Sequence, residues 1–148
     1  MNGDVLPDAD HVTRLCGFTQ LNEDGIPEGS AFVLKPGETF LSVNWIESLG
    51  LGARPEQIAE VLRVLGTKRK VGATAKLGLL NVGRSRVAVR EGTTDRLEVS
   101  FVHEPENKTP IDSSHSGIYD LPLSDGDITA AEQLALSVSE LFPTRYAL

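Results

Sequence analysis

The sequence predicts an α+β fold: one domain with a mainly antiparallel sheet of about five to six strands and two main helices. Three observations predict it. Short alternating apolar stretches are separated by Gly, Pro, Asn and Asp clusters. A clear helical period runs over residues 55–65, and a second over 129–142 follows a capping sequence. Strands that neighbour one another like hairpins, with helices between and after them, favour an antiparallel sheet. The 148 residues suit a single domain and suffice for a core without covalent staples.

The elements follow in order. Residues 1–10 are acidic and polar and are expected as a flexible N-terminal segment. HVTRLCGF, residues 11–18, alternates as a strand does. The turn cluster NEDGIPEG separates it from a second strand at 30–34, so the two are expected as a hairpin with a long connection. After Lys35-Pro36-Gly37, Phe40 and Leu41 start a strand that turns into a short helix. Ser42 is its capping residue, Val43, Ile46 and Leu49 share a face, and Gly50 ends it.

Pro55 opens the first main helix, where a missing N–H costs nothing. Ile58, Val61, Leu62 and Leu65 recur at helical spacing, and Gly66 is the expected stop. Strands are predicted at 71–82, 86–90 and 97–103, with Gly92-Thr93-Thr94-Asp95 turning between the last two. Thr129-Ala130-Ala131-Glu132 reads as a capping box for the second main helix. Leu134, Val138, Leu141 and Phe142 supply its stripe, and Pro143 ends it.

Composition narrows the class. A hydrophobic share of 40% and a charged share of 24% suit a folded chain rather than a disordered one. No apolar run reaches the roughly 18 residues of a membrane span. The opening MNGDVLPDAD has neither the basic start nor the apolar stretch of a signal peptide. Cys16 is the only cysteine, so no internal disulfide forms. A cytoplasmic location is the expectation.

The net charge of −7 conceals a segregation. Between Arg63 and Arg90 lie eight basic residues and no acidic one. Such a block either packs against the chain's own acids or presents a positive face to an anion. Arg84, Arg86 and Arg90 share parity in an extended segment, so they would form one arginine face able to meet phosphates. Aromatic residues are 5% of the chain and none lies in this block, so the stacking platforms of single-strand binders are missing.

The loop at 104–118 is the functional-loop candidate. Polar, titratable groups on a loop anchored at a strand end are where binding and chemistry collect. His103 ends its strand, and Asp112 and His115 follow. The three are candidate metal ligands for a divalent ion, or an acid–base set. The spacing matches no established zinc pattern. The structural alternative is that Asp112 caps a turn and His115 pins the loop to the backbone. Cys16 shares a strand face with Val12 and Arg14 and reads as a core residue. Arg14, beside apolar neighbours, needs an anionic partner, and Glu47 is the candidate.

Two stretches, Ser42-Val43-Asn44-Trp45-Ile46-Glu47 and Asp112-Ser113-Ser114-His115-Ser116-Gly117, resemble segments of small uncharacterised bacterial proteins. In those segments a proline often follows the aspartate, where Ser113 stands here. The resemblance implies a bacterial origin and a compact domain, and no activity. Three functions are expected in descending order. The first is a small accessory module acting with a protein partner through the histidine loop or the arginine face. The second is a hydrolase, nuclease-like, on His103, Asp112 and His115. The third is phosphate or nucleic-acid binding on Arg84, Arg86 and Arg90.

Overall fold

Six strands form one sheet, its inner strands buried on both faces, in the computed structural model, which describes residues 3–123 and 127–145. The strands are β1 (His11–Cys16), β2 (Phe40–Trp45), β3 (Lys76–Asn81), β4 (Ser100–His103), β5 (His115–Tyr119) and β6 (Val138–Pro143). Their order is β4-β5-β2-β1-β3-β6, and every neighbouring pair is antiparallel. Three α-helices complete the chain: α1 (Arg54–Lys68), α2 (Val82–Gly92) and α3 (Thr129–Leu136). This is the α+β class that the sequence predicts.

Each sheet face carries its own core because strand side chains alternate. On one face Ile58, Val61 and Leu65 of α1 pack on Ile46, Leu77, Leu79 and Phe142. On the other, Val82 and Val89 of α2 and Ala130, Ala131 and Leu134 of α3 meet Val12, Val43, Phe101 and Ile118. Side chains as fully buried as Ile58 and Leu134 each contribute about 1.5–3 kcal/mol by leaving water.

Several features differ from the sequence reading. Ser42 lies within β2 and caps nothing; the short helix, Glu47–Leu49, starts behind Ile46. Residues 86–90 are helical, not extended. Asn81 caps α2 by accepting from the Arg84 N–H at 2.8 Å, and Val82, Ser85 and Val89 form its buried stripe. The period of 129–142 breaks at Ser137, and its second half is the edge strand β6, which pairs Phe142 with Leu77. Residues 30–34 contain a 3-10 turn, Gly29–Phe32, that drives Ala31 and Phe32 into the core, so no hairpin forms with β1. Thr129 is not the cap of α3; Ile128 holds that position, and Asp127 accepts the Thr129 N–H and hydroxyl. α1 runs two residues past Gly66.

Of residues 3–10, expected as part of a flexible lead, 3–6 lie along β4, and the carbonyls of Asp8 and Asp10 accept from Gly83 and Val82. Leu6 is buried, Val5 bridges to Val102, and the Gly3 and Leu6 N–H groups donate to His103 and Phe101 carbonyls. β4's outer side is thereby covered, whereas β6 has no strand on its outer side among the described residues.

One irregularity positions the site. β1 pairs with β3 along its whole length, His11 to Cys16. With β2 it pairs only at Val12↔Trp45 and Thr13↔Asn44. Beyond Thr13 the two strands part, and the Arg14 side chain fills the fork.

Candidate functional site

β2 and β5 place Asn44 opposite His115 and Ser42 opposite Gly117. The two motif stretches therefore interlock. Asn44 Nδ2 donates to both Asp112 carboxylate oxygens at 2.9 and 3.0 Å and to Ser114 Oγ at 2.9 Å. The Trp45 N–H donates to the Ser114 carbonyl at 2.8 Å. Lys68, at the end of α1, reaches Asp112 at 3.0 Å and Glu106 at 2.5 Å. Burial opposes the Lys68 charge, but hydrogen bonds and the charges of Glu106 and Asp112 outweigh it and hold the ammonium pKa above its usual value. Asp112, only 1% exposed, accepts from three side chains and is thus a buried carboxylate with its charge answered.

His115 is buried too. Its Nδ1 lies 2.8 Å from the Glu104 carbonyl, which can only accept, so Nδ1 carries the proton. In the neutral ring Nε2 then accepts from the Ser42 hydroxyl at 3.2 Å. That is the donor order of a nucleophile and its base. The space above it, however, is a slot of only about 20 Å³, lined by Thr13, Arg14, Ser42, Lys68, Arg69 and His115 among others. It has room for one water or one anionic oxygen, not for an acyl group and its leaving group.

His103 stands elsewhere. It pairs with Ser116, one residue on from His115, so strand alternation sends the two imidazoles to opposite sheet faces. His103 Nε2 bonds the Ser113 carbonyl at 2.8 Å and its ring meets Trp45 edge-on at 5.0 Å. The expected His103–Asp112–His115 metal or acid–base set is therefore not assembled. Among the described residues no three His, Cys, Asp or Glu side chains gather in a way that holds a metal ion.

Arg14 and Glu47 do not pair. Glu47 accepts from the His11 N–H and lies 2.7 Å from His11 Nδ1. Arg14 donates Nε–H to the Ala31 carbonyl and Nη1–H to the Ser42 carbonyl, both at 2.9 Å. Its bond to Ser42 gives β2 a side-chain donor where β1 and β2 part, and its bond to Ala31 ties in the Gly29–Phe32 turn. Burial lowers the Arg14 pKa, and the opposing influence of Cys16 and Glu38 does not make up for the lost hydration.

The arginine face is dissolved by the helix. Arg86 and Arg90, one turn apart, both face Glu98, at 3.7 and 3.8 Å, and Arg86 also holds Asp8 at 3.0 Å. Arg84 is exposed, its guanidinium has no acceptor among the described residues, and it stands in a groove. Within the basic block Arg63, Lys68, Arg86 and Arg90 are thus answered by the chain's own acids.

Lys68, Asn44 and Thr13 escaped the sequence reading. The first two lie 44 and 68 positions from Asp112, and no local pattern announces such a contact. The one available signal was Lys68 itself, a cation in the last turn of a helix whose apolar stripe faces the sheet. Comparison of the chain with protein-family models, curated proteins and solved structures returns no match. No helix among the described residues is long and apolar enough to cross a membrane.

Proposed function

We propose that this chain is a small binding module that acts with a protein partner, and that the partner docks in the groove beside α2. The contrast between Arg84 and its two neighbours carries the reading. Arg86 and Arg90 are answered by the chain's own carboxylates, while Arg84 is left for an outside acceptor. Two adjoining hollows of about 410 and 600 Å³ share Asn81, Arg84 and Ala88. Apolar groups flank Arg84 there: Leu136 is 79% exposed and Val87 46%. Covering Leu136 alone contributes up to about 1.5–3 kcal/mol. A partner segment that joins an acidic side chain to apolar ones fits this chemistry. The histidines, Asp112 and Ser114 are engaged within the protein, which supports binding over catalysis.

The test is tagged protein recovered from the cells that make it, with quantitative mass spectrometry of what comes with it. The expected result is a stoichiometric partner that is lost on Arg84→Glu or Val87→Asp and kept on Arg63→Ala. A partner indifferent to both groove substitutions, or no partner, overturns the reading.

A further inference from the structure

We infer that the slot where β1 and β2 part is an oxyanion site, which takes one oxygen of a carboxylate or phosphoryl group while the rest of the ligand stays at the mouth. No residue lines both this slot and the α2 groove. The two sites therefore stand or fall separately.

Three observations carry it. The slot is lined by three cations, Arg14, Lys68 and Arg69, and by no carboxylate among the described residues; of the three, Lys68 is engaged by Asp112 and Glu106. That leaves Arg14 and Arg69 without a bonded carboxylate among the described residues. Arg14 spends Nε–H and one Nη1–H on main-chain carbonyls, and its Nη2 hydrogens have no acceptor among the described residues. A guanidinium offers five donors in a planar fork suited to an oxyanion. Second, Thr13 is 1% exposed, lines the slot, and its hydroxyl has no partner among the described residues. Such a buried hydroxyl costs stability unless something fills the space beside it. Third, the volume of about 20 Å³ admits a single oxygen-sized atom. Arg69, exposed, is placed to meet the remainder of the ligand outside.

The fit is cationic in sum, so an anionic oxygen is favoured over the neutral water that the same space would take. Charge-assisted bonds from a guanidinium are about twice as strong as neutral ones.

The experiment follows the Arg14 Nε–Hε signal and the Thr13 and Ser42 amides by NMR at constant ionic strength. Sodium acetate and, separately, inorganic phosphate are the titrants. Saturable shifts confined to these groups are expected with at least one titrant, and the tighter of the two identifies the head group. Thr13→Val, nearly isosteric, should weaken binding about 3–10-fold. Arg69→Ala, at the exposed mouth, should weaken it about 2–5-fold. Arg63→Ala should leave it unchanged. Shifts that never saturate, or that weaken equally on Arg63→Ala, overturn the site. So does a slot unmoved by either anion, which then holds water alone.

Discussion

Asn44 and Asp112 are joined side chain to side chain across 68 positions of sequence, one amide spanning both oxygens of one carboxylate. Lys68 completes the contact from the helix above. A loop end, a central strand and a helix terminus are thereby tied at one buried point.

That point sets the first expectation. Asp112→Asn removes the charge that answers Lys68 and turns an amide toward the Asn44 amide. Loss of about 2–4 kcal/mol is expected, the cost of breaking a buried pair. Urea unfolding measures it, and a change under about 0.5 kcal/mol would show that the cluster is dispensable. Combining it with Lys68→Met should cost less than the two single changes added together.

Cys16 supplies a pH dependence. Burial pushes its thiol from 9.0 up to about 11. Below pH 9 the thiol is neutral whether the chain is folded or not, and its contribution is fully present. As pH rises from 9 toward 11 the unfolded chain ionises first, so stability falls, by on the order of 2 kcal/mol in all. Cys16→Ala should flatten the stability profile across that window. An identical slope in both proteins would exclude the thiol as the cause.

Gly117 lies beneath the Phe40 ring. A Cβ built there would sit 2.6 Å from Phe40 Cδ1 and 2.8 Å from Cγ. Gly117→Ala must push aside a ring that also packs on His115 and Tyr119. Destabilisation of about 1–3 kcal/mol is expected from such overpacking. Calorimetry reads it directly, and an unchanged midpoint would mean that Phe40 moves freely.

Arg84 and Arg86 should separate cleanly. Arg86→Ala loses Asp8, Glu98 and the Val99 carbonyl, so about 1 kcal/mol is expected. Arg84→Ala, with no protein acceptor for its side chain, should stay within about 0.5 kcal/mol of the parent. Equal costs would mean that Arg84 is structural.

Much of the frame was legible. Pro55 and the Ile58–Val61–Leu65 spacing located α1, because the local pattern there agrees with burial, and the β-prone run at 11–16 located β1. α2 was missed for a physical reason. Its buried stripe runs through Ser85, a polar residue, while Val87 and Arg86 imitate strand parity. Asn81 is a good cap, but a cap is visible only once a helix is suspected. In 129–142 the spacing of Leu134, Val138 and Phe142 fits a helix as well as two elements. Pairing with β3, which no local pattern encodes, decides for β6. At the site, His115 and Asp112 stood out by residue type. Their partners Ser42, Asn44 and Lys68 come from other elements, so their roles as anchors needed the third dimension.

The N-terminal segment has a further consequence for assembly. Residues 3–6 occupy the outer side of β4, so among the described residues the sheet has one open margin, at β6, where exposed Ser139 and Glu140 are poor templates. As a unit of strand addition the molecule is monovalent. Two copies joined margin to margin would terminate each other, and growth into a fibre through this sheet would first require the leading segment to peel away.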